Sequence, residues 1–180
     1  MKRFAFSLLV MIAAACTALA NAPTASEMMA KAQAEAKATK KTVLVKFEAS
    51  WCGWCKEFDK FLADPAMGKL MNDNFVIVHM VVQESDKNKA LENEGGDAML
   101  KEWGGEGSGI PYLVVLDDKG KMLANSMELK ADGTKVGNTG YPAADHEIAW
   151  FIKMLKTVPS MKDAQRAQIQ KWLTEHAPKH

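Results

Sequence analysis

Residues 51–55 have the sequence Trp51-Cys52-Gly53-Trp54-Cys55 and stand between two segments of different periodicity. The segment before them, residues 42–49, alternates apolar side chains on one face, which predicts a β-strand. Residues 56–63 carry apolar side chains at helical spacing, which predicts a helix. A C-x-x-C pair at such a junction indicates a redox pair.

The spacing of Cys52 and Cys55 has a physical reason. If Cys52 opens a helix, its sulfur faces unpaired backbone N–H groups and the positive end of the helix dipole, which favour the thiolate. Cys55 then lies one turn further on, close enough to close a disulfide. A C-x-x-C pair can also be half of a structural zinc site, but such a site needs four ligands. The four histidines show no ligand spacing, so we predict neither a metal nor a cofactor.

The first twenty residues have the pattern of a secretory signal peptide. A basic start is followed by an apolar run over residues 4–15 and by a small-x-small site ending at Ala20. The run is short for a membrane span. We therefore predict cleavage after Ala20 and an exported protein, periplasmic or secreted, formed by residues 21–180. An uncleaved anchor and lipidation at Cys16 are the alternatives, and either would bring the chain to a membrane.

Removal of residues 1–20 changes the composition in two informative ways. Lys+Arg falls from 23 to 21 against 22 Asp+Glu, and no basic block is present. This balance argues against nucleic acid as a partner. The three cysteines become two, Cys52 and Cys55. Exported proteins commonly use cysteines as structural staples, so a chain that keeps only this pair favours redox chemistry over scaffolding.

The rest of the chain alternates helical and strand patterns, which predicts an α/β fold. Residues 75–82 are almost continuously apolar and predict a central strand buried on both faces, with His79 as a packed or edge residue rather than a catalytic base. The predicted elements are helices over 27–39, 56–71 (interrupted at Pro65), 97–103, 143–156 and 161–176, and strands over 42–49, 75–82, 112–116, 121–127 and 136–141.

The order of these elements resembles that of the thioredoxin superfamily. So do the Trp-Cys-x-x-Cys-Lys motif after one hydrophobic strand and the Gly-Ile-Pro before the next. Residues 47–56 are most similar to exported thioredoxin-like proteins, which are related to the C-terminal domain of the bacterial thiol:disulfide interchange protein and to small disulfide-isomerase-like proteins. The resemblance covers about residues 26–156. It implies a central mixed sheet flanked by helices. The helix predicted over about 160–176 lies outside the resemblance and is an extra C-terminal helix.

The resemblance also implies roles at the motif. Cys52 would be the exposed nucleophile and Cys55 the buried resolving thiol, with Trp51 packed beside the site as a shield. The dipeptide Gly53-Trp54 between the cysteines would influence their redox poise, in a direction that the pattern does not predict.

Two further parts of the site follow from the resemblance. The Ile110–Pro111 bond would be cis, and the main chain at Ile110 would bind an extended substrate segment by strand addition. Family members commonly carry a buried Asp six residues before the first cysteine, where this chain has Lys46, with Glu48 two residues later. Either Glu48 takes over proton transfer with Lys46 as its ion partner, or both are solvated strand residues.

The function predicted on these grounds is a thiol–disulfide oxidoreductase that reduces or isomerises disulfides of exported proteins. A membrane thiol–disulfide carrier would supply its electrons. Two alternatives remain open at this point. One is a non-catalytic chaperone or binding module for exported thiol proteins, and the other is a dedicated reductant in cytochrome or copper-site maturation.

Overall fold

A computed structural model describes residues 22–178, so the predicted signal peptide over residues 1–20 and the alternative lipidation site Cys16 lie outside the described residues. None of the helices within 22–178 combines the length and apolarity that a membrane span requires. The α-helices and strands in chain order are α1 (Ala25–Thr39), β1 (Thr42–Glu48), α2 (Gly53–Ala63), α3 (Pro65–Asn74), β2 (Phe75–Val81), α4 (Gly96–Glu102), β3 (Tyr112–Leu116), β4 (Met122–Asn125), β5 (Met127–Leu129), β6 (Lys135–Asn138), α5 (Asp145–Leu155) and α6 (Asp163–His176).

The main sheet is mixed and has the strand order β2-β1-β3-β4. Strand β1 runs parallel to β2 and antiparallel to β3, and β4 pairs antiparallel with β3. Apolar side chains of β1 and β3 enter both of the hydrophobic clusters, one on each face of the sheet. The α/β fold with a mixed sheet, flanking helices and a C-terminal helix is therefore confirmed.

The place of β2 in the sheet differs from the prediction. This strand is at an edge, and its side chains alternate, so that Val76, Val78 and Met80 are buried while His79 is exposed. The apolar run reflects packing against α1 on one face and partial cover on the other. The strands buried on both faces are the two internal ones, β3 over its whole length and β1 up to Glu48.

The C-terminal helix α6 packs against the part of the molecule that carries the cysteine pair. Its Ile169 and Leu173 are fully buried in the cluster that also contains Phe61 of α2. The rings of Phe61 and Trp172 meet edge to face at 5.3 Å. The indole N–H of Trp172 donates to the carboxylate of Asp64 at 3.2 Å, at the junction of α2 and α3. Helix α6 thus packs against α2 through Trp172 and stabilises its position.

We expect Leu173→Ala to lower the free energy of unfolding by about 2–5 kcal/mol, because it opens a cavity beneath α6. Urea denaturation followed by tryptophan fluorescence measures the loss. Gln168→Ala, at an exposed position of the same helix, is the matched control and should leave the midpoint nearly unchanged. Equal midpoints for both variants would show that α6 is not part of the cooperative fold.

Candidate active site

Cys52 and Cys55 form a disulfide at the N-terminus of α2. The S–S distance is 2.04 Å and the Cα atoms are 5.3 Å apart. Cys52 is the N-cap residue of the helix, and its sulfur accepts a hydrogen bond from the backbone N–H of Cys55 at 3.0 Å. The free N–H groups of a first helical turn stabilise negative charge. The same position would therefore favour a thiolate at Cys52 after reduction.

Both cysteines are buried in the disulfide form, each with 2% of its surface exposed. The expectation that Cys52 is exposed is therefore wrong for this state. The carbonyl oxygen of Ile110 lies 3.4 Å from the Cys52 sulfur and covers it. A disulfide sulfur carries no hydrogen, so this is a contact rather than a hydrogen bond. In the reduced form the same carbonyl could accept from the Cys52 thiol.

Pro111 follows Ile110 through a cis peptide bond, and both residues are buried. They line one side of an open groove of about 670 Å³. Trp54 and Tyr141 line it as well, with their rings stacked at 6.0 Å and 16°. The structure thus places Ile110, Pro111 and Trp54 together beside the disulfide.

Trp51 and Gly53 contribute exposed surface next to the pair. Trp51 is 57% exposed, and its indole N–H donates to the carbonyl oxygen of Gln83 at 2.8 Å. That bond anchors the ring toward the end of β2, and the role of Trp51 as a shield stays a prediction. Gly53 is the first residue of α2 and is exposed, with open space where a side chain would begin.

Lys46 lies in the interior beside the cysteine helix, with none of its side chain exposed. Its ammonium group donates to the carbonyl oxygen of Cys55 at 3.2 Å. It also forms ion pairs with the carboxylates of Glu48 and Asp59. The alternative in which Lys46 and Glu48 are simply solvated is therefore wrong. The reason is that α2 covers this face of β1 and closes over the ammonium.

Glu48 is bound from two sides, by Lys46 and by Nδ1 of His79 at 3.1 Å. Burial raises the pKa of Glu48, but the hydrogen bonds and charges of His79 and Lys46 outweigh it and hold the pKa below its ordinary value. Glu48 is consequently a carboxylate at neutral pH and a weak base. His79 itself is an edge residue with 46% of its side chain exposed.

Asp59 belongs to this site although the sequence did not single it out. It lies on α2 four residues after Cys55, on the same side of the helix, and its carboxylate pairs with Lys46. The i, i+4 spacing from the second cysteine is the signal that could have identified it. A cavity of about 290 Å³ reaches Cys55, and Glu48 and Asp59 both line it. Water entering there would meet Cys55 and two carboxylates.

One potential ligand of Glu48, Asp59 and His79 each lies within 4.8 Å of the other two, a spacing that could hold a metal ion. The ammonium of Lys46 already pairs with both carboxylates. A divalent cation would therefore have to share this place with a buried positive charge, which opposes binding. The cluster is better described as an internal ion network around Lys46.

The mixed sheet, the C-x-x-C disulfide at a helix N-terminus and the adjacent Ile110–Pro111 segment define the class of redox proteins with a thioredoxin fold. A family model described as "Thioredoxin-like" matches residues 24–118, more than half of the chain. The chain belongs to this family. Membership of this family and the Cys52–Cys55 pair together support redox activity.

Individual relatives are distant. The thiol:disulfide interchange protein DsbD of Photorhabdus laumondii is 29% identical over 87 residues, which make up 48% of this chain and 13% of that protein. The chain therefore matches only a small part of that relative. Among solved structures, a disulphide isomerase from Xylella fastidiosa has 22% identity and a TM-score of 0.49, with 84% of this chain and 89% of that chain covered. The oxidised C-terminal domain of DsbD from Neisseria meningitidis has 23% identity and a TM-score of 0.45, covering 74% and 98%.

Proposed function

We propose that this protein is an exported thiol–disulfide oxidoreductase that reduces or isomerises disulfides of other exported proteins. The observation that carries the proposal is the Cys52–Cys55 disulfide, which caps α2 and touches the backbone of Ile110. Cys52 is assigned as the attacking sulfur because it is the N-cap residue and its sulfur touches Ile110, which lines the groove. Cys55 is assigned as the resolving sulfur because it lies one turn inside the helix, above Lys46.

The reaction begins from the reduced dithiol. The Cys52 thiolate attacks one sulfur of a substrate disulfide, which forms a mixed disulfide and releases the other substrate sulfur as a thiolate. Cys55 then gives up its proton and attacks the Cys52 sulfur, forming the internal disulfide and releasing the second substrate thiolate. Two electrons pass from the dithiol to the substrate. A dithiol donor returns them by the reverse exchange, and we propose a membrane thiol carrier in that role. The match to a protein named for thiol:disulfide interchange supports the exchange itself.

Export is supported by the sequence of the first twenty residues. A secreted oxidoreductase of this kind would meet substrates in an oxidising compartment, where protein disulfides form and persist. The groove beside Ile110 is open, as a site for part of a folded or unfolded protein must be. We therefore propose that the substrate is a disulfide of a protein rather than a small ligand enclosed in a pocket.

Lys46 is proposed as the charge that favours the thiolate form of the pair. A positive group near a cysteine stabilises the thiolate, and Lys46 reaches the backbone of Cys55 directly. Glu48 then serves mainly to hold Lys46 in place, because its lowered pKa makes it a poor acceptor for the Cys55 proton. Asp59 is the second anchor, and its more exposed carboxylate adjoins the cavity beside Cys55.

Insulin reduction tests the proposed function. We expect catalytic amounts of the protein, with dithiothreitol as electron donor, to accelerate precipitation of the insulin B chain well above the uncatalysed rate. An insulin reduction rate equal to that without protein would contradict the proposed function. The equilibrium of the Cys52–Cys55 couple with glutathione then decides direction, since a strongly oxidising couple would contradict a reductase.

We expect Glu48→Gln to move the pH midpoint of Cys52 alkylation downward by less than about one unit, because Lys46 loses one of its two neutralising partners. Iodoacetamide labelling of the reduced protein as a function of pH measures this. Glu57→Gln, on the outer side of α2 and paired with Lys60, is the matched control. An unchanged midpoint combined with slower release of reduced substrate would instead assign proton transfer to Glu48.

A further inference from the structure

Asn138, the last residue of β6, is bonded to the loop that touches the disulfide. Its side-chain amide group donates to the carbonyl oxygen of Gly109 at 2.6 Å and to that of Pro111 at 3.0 Å. These two carbonyls flank Ile110, whose own carbonyl contacts the Cys52 sulfur. One side chain thus holds the backbone on both sides of the residue that meets the reactive sulfur.

The orientation of this amide is determined by its partners. The Oδ1 atom of Asn138 accepts from the backbone N–H of Gly140 at 3.1 Å, and a backbone N–H can only donate. Gly109 and Pro111 offer carbonyl oxygens, which can only accept. Reversing the amide would place oxygen against oxygen on one side and two donors against each other on the other. These three hydrogen bonds therefore require asparagine in this orientation.

The side chain of Asn138 is also hydrogen-bonded to the core of the sheet. The hydroxyl of Ser126, which is fully buried, donates to Oδ1 of Asn138 at 2.6 Å and accepts from the backbone N–H of Leu113 at 2.8 Å. The chain of bonds runs from strand β3 through Ser126 and Asn138 to the loop around Ile110. Hydrogen bonds in such a series polarise and rigidify one another. The loop is thereby fixed relative to the sheet that also carries the cysteine helix.

We propose that Asn138 is a positioning residue that fixes the Ile110 backbone for docking of an extended segment of a partner polypeptide. This rests on the proposed function, because it supposes that protein disulfides are the substrates. A polypeptide bonded to Ile110 must lie in register with Cys52, so a loose loop misaligns the two sulfurs. A small disulfide needs no backbone partner and reaches Cys52 without this alignment. The hairpin β5–β6, which supplies Asn138, is thus a substrate-positioning element.

The test compares a protein disulfide with a small one. We expect Asn138→Ser and Asn138→Asp to lower kcat/KM for insulin by about tenfold to a hundredfold, the scale of a misplacement near 1 Å. The rate with hydroxyethyl disulfide should stay within about twofold of wild type, since the sulfur chemistry is untouched. Serine removes the amide without adding charge, and aspartate keeps the shape but replaces the donors. The rates are compared for whichever of the two variants unfolds in a transition like that of the wild type.

Asn125→Asp is the matched control. Asn125 is the last residue of strand β4 and donates to the carbonyl oxygen of Trp103 at 3.1 Å rather than to Gly109 or Pro111. Its Oδ1 accepts from the backbone N–H of Met127 at 3.1 Å, a bond that aspartate can keep. We expect this variant to reduce both disulfides like the wild type. Equal losses for insulin and hydroxyethyl disulfide in the Asn138 variants, or no loss for either, would overturn the positioning role. If the wild type itself reduced neither disulfide, the proposed function would be the part that failed.

Discussion

Replacement of Cys52 by serine is expected to reduce insulin turnover to the uncatalysed rate, a loss of at least about a thousandfold, the scale on which removal of a nucleophile acts. The serine hydroxyl fits the N-cap position but cannot exchange with a disulfide. The loss should therefore come without loss of the fold. Turnover with dithiothreitol as donor measures the first effect, and the far-ultraviolet circular dichroism spectrum measures the second.

Ser50→Ala is the control for this prediction. Ser50 lies two residues before Cys52, and its hydroxyl bonds the Glu84 carboxylate at 2.8 Å rather than the sulfur. We expect this variant to retain turnover within about threefold, as for a substitution that removes two hydrogen bonds, one to Glu84 and one from Asn88, outside the reacting groups. Full turnover by the Cys52→Ser protein would show that catalysis does not pass through the cysteine pair.

Replacement of Lys46 by methionine is expected to lower both the reactivity of Cys52 and the stability of the fold. Removing the buried positive charge should raise the pH midpoint of Cys52 alkylation by about one unit or more. The free energy of unfolding should fall by up to about 3 kcal/mol, because removing one partner of a buried ion pair leaves the Glu48 and Asp59 carboxylates without their shared cation. Glu48 and Asp59 keep partial access to solvent, with side chains 18% and 48% exposed, so water compensates part of the lost ion pairing.

Two controls make the Lys46 prediction specific. Lys46→Arg keeps the positive charge and should leave the midpoint close to that of the wild type. Lys60→Met removes a charge from α2, but one whose side chain is 70% exposed, where water screens it. An equal upward shift for Lys46→Met and Lys60→Met would mean that net charge, rather than the buried ammonium, controls the thiolate.

The local part of the site was predictable because local patterns determine it. A period of two over β1 and a helical period after it place the cysteine pair at a helix N-terminus. The Ile110–Pro111 segment before β3 could be assigned by resemblance. Even here one prediction was wrong. Cys52 is buried in the disulfide form because the carbonyl group of Ile110 covers it, and this contact between distant residues cannot be seen in a local pattern.

The remaining features depend on contacts between distant parts of the chain. Strand β2 is apolar enough for the centre of a sheet, yet strand pairing places it at the edge. Lys46 looked like a solvated or ion-paired residue, and only the packing of α2 brings Asp59 to it. Asn138 reaches back 27 residues to Pro111, because β5 and β6 form a separate hairpin beside the main sheet. The spacing of residues in the sequence does not predict that contact.

Trapping of the mixed disulfide tests the central claim most directly. Cys55→Ser protein is reduced, mixed with oxidised insulin and quenched with acid, and the linked peptides are identified by mass spectrometry. The account predicts an adduct in which Cys52 is joined to an insulin cysteine, and none through Cys55 in the parallel Cys52→Ser protein. Absence of the Cys52 adduct, or an equal yield of adduct through Cys55, would contradict it.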